Sequence, residues 1–181
     1  MRNPTDDPPE PGQFEWLVAE YADRVYGIAL RVTGSAQDAE DAMQEAFLSI
    51  FRNLGKFRGE AQLSTWIYRI AVNAALEVRR RRPRTDEVLL DEGFEHEQVA
   101  DWRSPDVESE AERAELAAIL ERGIRMLPED FQLAVILRDV EGLTTREAAE
   151  VLQIGEALLK TRLHRGRLLL RTHLAEYLAL P

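Results

Sequence analysis

The chain of 181 residues contains no cysteine. Disulfides and thiolate-bound metals are therefore excluded, and the absence says nothing about redox compartment. Histidine occurs only at His96, His164 and His173, without the spacing of a metal site. Glycine-rich phosphate loops and nucleophile motifs are also missing, so the residues offer no enzyme chemistry, no cofactor and no metal. No apolar run approaches the length of a membrane span. The opening "MRNPTDDPPEPGQ" is polar, acidic and proline-rich. It lacks the apolar stretch of a signal peptide, so a cytoplasmic location and a flexible start over residues 1–12 are expected. Strand-like alternation of any length is absent, as is a repeat of fixed period. What is left is helix.

Charge is present but unevenly placed. The formal net charge is −10. Residues 1–82 hold 11 basic and 12 acidic residues, residues 83–114 hold 3 and 11, and residues 115–181 hold 9 and 10. The acid is concentrated in the middle, and the two flanking parts are near neutral with basic clusters. Distribution rather than sum decides affinity for nucleic acid. One such cluster is Arg79–Arg82. The other is "LLKTRLHRGRLLLR", Leu158 to Arg171, which contains no acid.

Helical periods divide the chain into two folded blocks. In the first, Phe14, Leu17, Val18, Tyr21, Val25, Ile28, Ala29 and Val32 recur at helical spacing. Gly34 is placed to end that helix, and "SAQD" at Ser35 is placed to start the next. The second stripe is Ala39, Ala42, Met43, Ala46, Phe47 and Ile50. A loop follows over Asn53–Ser64, with Ser64 expected to cap a third helix whose stripe is Ile67, Ile70, Ala71, Ala74 and Val78. Pro83 stops it. Residues 83–108 read as an acidic linker with two prolines, whose apolar residues Val88, Leu89, Leu90, Phe94 and Trp102 are free to dock elsewhere. The second block is expected to start with a capping box at Ser109. Leu116, Ile119, Leu120, Gly123, Ile124 and Leu127 form its first stripe. A second helix carries Phe131, Ala134, Val135 and Leu137, and Thr144 with Glu147 forms another capping box.

The tail therefore reads as a short helix, a tight turn at "QIG" and a long basic helix. That is the helix-turn-helix plan, in which the second helix lies in the major groove. On the last helix Leu159, Leu163, Gly166 and Leu170 share one side. Ala157, Thr161, His164, Arg165 and Leu168 face the other, flanked by Lys160, Arg167 and Arg171. Arginine can read guanine bidentately, while threonine and histidine can reach base edges or phosphate. A solvated amphipathic helix packed on its own domain would show similar charge.

The stretch "LPEDFQLAVILRDVEGLTTREAAEVLQIGEALLKTRLHRGRLLLRTHL" resembles the C-terminal DNA-binding domain of bacterial sigma factors. "YADRVYGIALRVTGSAQDAEDAMQEAFLSIFRNLGKFRGEAQLSTWIYRIAVNAALEVRRRR" resembles their promoter-melting domain. Both halves, in order and joined by an acidic linker, are similar to an extracytoplasmic-function (ECF) member of the sigma-70 family. The resemblance implies two small all-α domains: region 2 over residues 13–82 and a region 4 helix-turn-helix over residues 109–181. It implies a factor that is a monomer when free, takes no small-molecule substrate, binds core RNA polymerase and melts promoter DNA.

The resemblance also implies roles for particular residues. The "DAEDAMQEAFLSIF" helix would dock on the clamp helices of the largest polymerase subunit through Asp38, Asp41, Gln44, Glu45, Phe47 and Leu48, with Gln44 and Asp41 foremost, since Phe47 also fits the core stripe. The flap of the second-largest subunit is a further expected contact. Lys56, Phe57, Arg58, Ser64, Trp66, Arg69, Asn73, Arg79 and Arg80 would meet the minus-ten element, where a base is flipped out, with Tyr68 a third aromatic able to stack. Lys160, Thr161, Arg162, His164, Arg165 and Arg167 would meet the minus-thirty-five element or pair within the domain. An anti-sigma factor, often membrane-tethered in such families, is an implied partner. Gln153 and Ala157–Leu158 depart from the family's usual glycine and Gly-Thr, which predicts an altered minus-thirty-five preference. Acidic linkers of this family run through basic channels of the polymerase. Two other readings stay open from the sequence: a stand-alone dimeric helix-turn-helix regulator, and a degenerate sigma that only binds partners. A carboxylate metal site at Asp38, Asp41 and Glu45 lacks the Glu-x-x-His pairs that helical metal sites use.

Overall fold

In a computed structural model the chain is described over residues 14–59, 61–81 and 107–178. The expected flexible start, the linker up to residue 106 and the apolar residues of that linker lie outside the described residues. Among the described residues every regular element is helical.

The first three helices are α1 (Phe14–Thr33), α2 (Ala36–Asn53) and α3 (Leu63–Arg81). They pack mutually around Leu17, Val25, Ile28, Ala39, Ala42, Ala46, Ile50, Ile67 and Ala71, all buried. Gly34 ends α1 as expected: its φ of 76° is left-handed, and its N–H donates to the Leu30 carbonyl at 2.8 Å. Ser35 caps α2, its hydroxyl accepting from the Asp38 N–H. A short 3-10 turn, Leu54–Lys56, leads toward α3. Ser64 does not cap α3. The helix begins one residue earlier, and the Gln62 carbonyl accepts the Trp66 N–H at 3.0 Å.

The second block holds α4 (Val107–Arg125), α5 (Glu129–Val135), α6 (Thr145–Leu152) and α7 (Glu156–Leu178). α4 starts two residues before the expected cap at Ser109, so the last two residues assigned to the linker are helical. α5 runs into a widened π turn over Ile136–Val140, closed by the Glu141 N–H on the Ile136 carbonyl. Thr144 and Glu147 form the reciprocal capping box read from the sequence. Two expected core residues of α4 are exposed instead: Leu116 keeps 51% and Leu120 39% of its surface. Ile124, in the last turn of the helix, and Leu127, just past its end, are buried.

The two blocks touch. α3 packs on α6, α1 meets α4, and buried residues of both blocks form one continuous cluster. α3, packed on α1, α2 and α6, buries Val72, Ala75 and Leu76 in addition to residues of its expected stripe.

Candidate functional site

Three faces carry the residues singled out above. The first is on α2. Asp41, Gln44 and Leu48 fall at helical spacing on its solvent side, and with Glu45 they line a shallow depression of about 240 Å³ closed by Val78 and Arg81 of α3. Arg81 bridges Glu45 and Glu77, at 2.6 Å to each. Leu48 keeps 52% of its surface, an apolar centre ringed by polar groups, as protein interfaces are built. Two expected contacts do not lie on this face. Asp38 and Phe47 are buried, Asp38 in the first turn of α2 and Phe47 in the core against Phe14. The structure adds Phe51, 60% exposed and one turn beyond Leu48, with its ring 5.1 Å from that of Phe14. The spacing Gln44, Leu48, Phe51 was the signal for it.

The second face is the strip Trp66, Arg69, Asn73, Arg80 along α3, with the turn before it. Asn73 is exposed, and so are Lys56 and Arg58. Phe57 is buried and packs at a tilt against half-buried Trp66, with ring centroids 5.1 Å apart, so these two rings hold each other rather than standing open. Ser64 is half-buried in the first turn. Tyr68 is a core residue, not a free stacking platform. Arg24 donates to its hydroxyl at 2.8 Å, and burial pushes the phenol above its ordinary value despite that partner. The Arg69 Nε is buried without a hydrogen-bond partner among the described residues. Arg79 is engaged: it donates to the Val32 carbonyl, to Gln132 and to Glu129. Arg80 lies 3.8 Å from Glu129.

The third face is α7. Leu159, Leu163 and Gly166 point inward, while Ala157, Leu158, Lys160, Thr161, His164 and Arg165 are exposed. Gly166 permits close packing. A Cβ there would sit 3.2 Å from the Phe131 carbonyl and 2.9 Å from Val135. Arg162 and Arg167 pair within the domain, with Asp130 at 2.9 Å and bidentately with Asp139. They lock α7 onto α5 and the π turn. The turn before α7 holds Gln153 at φ 55°, the left-handed conformation that the expected glycine would take without strain.

These faces can be set beside known proteins. Residues 17–85 match the family model "Sigma-70 region 2", and residues 117–170 match "Sigma-70, region 4". The chain therefore belongs to the sigma-70 family of RNA polymerase sigma factors. Its relatives place it in the ECF group of these transcription initiation factors. It is 38% identical over 161 residues to RNA polymerase sigma-H factor of Pseudomonas aeruginosa, covering 85% of this chain and 82% of that one. It is 34% identical over 158 residues to ECF RNA polymerase sigma-E factor of Escherichia coli, covering 85% and 82%. ECF RNA polymerase sigma factor SigW of Bacillus subtilis is 33% identical over 169 residues, covering 90% and 89%. The fold is also that of the sigma factor RpoE solved with the anti-sigma factor NepR from Bartonella quintana, with a TM-score of 0.66 and 22% identity over 90% of this chain and 96% of that one. CnrH, solved in complex with the cytosolic domain of CnrY, gives a TM-score of 0.67 at 21% identity, covering 92% and 90%. Among the described residues no helix is long and apolar enough to cross a membrane.

Proposed function

We propose that this ECF sigma factor binds core RNA polymerase through the α2 face of Asp41, Gln44, Glu45 and Leu48, joined by Phe51. Residues 13–82 and 109–181 act as its two working modules, with the acidic segment between them spanning the polymerase. α3 and the turn before it serve the minus-ten element. Asn73 offers both a donor and an acceptor to a base, and Lys56, Arg58, Arg69 and Arg80 offer charge to phosphates. α7 serves the minus-thirty-five element through Lys160, Thr161, His164 and Arg165. Arg162 and Arg167 hold that helix in place rather than reading DNA. Melting draws its energy from differential affinity for the opened strand.

The observation that carries this reading is the order of two family regions in one chain, each exposing the polar residues its task requires. A cytoplasmic location and control by an anti-sigma factor belong to the same proposal. One protein of this fold, the sigma factor RpoE, was solved with the anti-sigma factor NepR, and another, CnrH, with the cytosolic domain of CnrY.

The test is binding to sigma-free core polymerase. Asp41→Ala and Gln44→Ala are each expected to weaken it about tenfold, the effect of losing roughly 1.4 kcal/mol at a central contact. A folded monomer that binds no core enzyme would leave the stand-alone regulator as the reading to pursue.

A further inference from the structure

The long basic helix α7 begins with side chains that offer no donor to DNA. Its first turn is Glu156, Ala157, Leu158 and Leu159. Leu159 is buried, while Ala157 and Leu158 are exposed, Leu158 keeping 46% of its surface. One exposed leucine is ordinary on a protein surface. This one is set apart by its place. In a helix-turn-helix the N-terminal residues of the second helix are those that meet base edges. Leu158, Thr161 and Arg165 also stand at i, i+3 and i+7, one row along the outward side of α7.

The neighbours of Leu158 narrow its chemistry. Thr161 donates its hydroxyl hydrogen to the Ala157 carbonyl at 3.0 Å, so outward it offers only lone pairs. Arg162, one turn after Leu158 and on its other flank, is held by Asp130 at 2.9 Å. Glu156 places an acid in the same turn, where it repels phosphate. On this row the first side-chain donor is therefore Arg165, two turns on. A guanine presents two acceptors in the major groove and is read by donors, whereas a thymine presents its C5-methyl and is read by apolar contact. An acceptor such as Thr161 finds an amino donor in every pair, on adenine or on cytosine, and leaves the choice open. The methyl occurs in the A·T pair alone and makes the choice.

We infer that Leu158, flanked by Ala157, reads the C5-methyl of one thymine in the minus-thirty-five element, at the end of the element that the start of α7 meets. The departure from the family's usual Gly-Thr thus exchanges a hydroxyl for an apolar contact, and it gives this chain a thymine preference at that position. The inference rests on the proposed role of α7 at the minus-thirty-five element.

The test uses duplexes retained from a randomised library by core polymerase carrying this chain. Each thymine of the minus-thirty-five element is replaced in turn by deoxyuridine, which removes the methyl and keeps every hydrogen-bonding group of the base. At one position the replacement is expected to weaken binding about fourfold, the effect of one methyl group left unburied. Leu158→Ala is expected to weaken binding of the thymine duplex at least as much and to hold the uracil duplex equally well, so that the two losses do not add. Arg165→Ala is expected to weaken binding of both duplexes alike. Uracil tolerated by the parent at every position, or a retained element without thymine, overturns the methyl contact. A uracil penalty that persists at full size in Leu158→Ala assigns that methyl to another side chain and overturns the role of Leu158. If Arg165→Ala still weakens binding in either of those cases, only the methyl reading is lost. If Arg165→Ala and Leu158→Ala both bind as the parent does, α7 does not serve this element, and the wider reading fails together with the inference.

Discussion

Gln153 holds a backbone angle that glycine adopts more cheaply. At φ 55° its Cβ meets the following peptide, a strain of roughly 1 kcal/mol for an L side chain. The side chain is exposed, so its loss removes no packing. Gln153→Gly is therefore expected to raise stability by about 0.5–1 kcal/mol, read as a later urea midpoint at unchanged slope. A second residue, Glu141, gives a pH signature. Burial pushes its carboxyl above the ordinary 4.5, against the opposing pull of Arg31 and Arg24 and with Glu121 adding to the rise. Between the ordinary value and the raised one, the folded chain binds more protons than the unfolded one. This group therefore subtracts stability as pH rises through that window. Glu141→Gln has no proton to lose, so its stability relative to the parent is expected to improve as pH is raised from about 4.5. Urea midpoints that run parallel at every pH would contradict this.

Between α5 and α7 the approach depends on one missing side chain. Gly166→Ala would press a methyl against the Phe131 carbonyl and Val135, and backbone cannot yield as a side-chain tip can. A loss of about 1–3 kcal/mol is expected, with the recognition helix pushed off its seat; a urea melt and DNA binding by the same variant check both. The sides of α7 were legible in the sequence because that helix has one buried side and one wet side. Leu159, Leu163 and Gly166 lie inward and Thr161, His164 and Arg165 outward, as the spacing predicts. The cap at Thr144 and the stop at Gly34 were legible for a similar reason, since their partners lie three or four residues away. α3 was only half legible. Its period marks one stripe, but α3 packs on α1, α2 and α6 together, and Val72, Ala75 and Leu76 are buried as well. The converse holds for Leu116 and Leu120, which fit a stripe yet stand exposed, because burial begins only in the last turn of α4, at Ile124, and continues past its end at Leu127. Gln132 and Arg31 form their bond across 101 residues, and no local pattern announces a partner at that distance.

For the whole molecule, the acidic total conceals two near-neutral blocks whose working faces are separate. α2 offers a compact apolar-centred patch, and α3 and α7 offer donors. DNA binding by such a molecule is expected to weaken as salt rises, because phosphate contacts release counterions. The most direct measurement is selection from a randomised duplex DNA library by core polymerase carrying this chain, followed by run-off transcription of the retained fragments. Two short elements about twenty-five base pairs apart, about 85 Å along the duplex at about 3.4 Å per step, with transcripts that require both core enzyme and this chain, are the predicted result. A single symmetric element, retained by the chain without polymerase and giving no transcript, would contradict it.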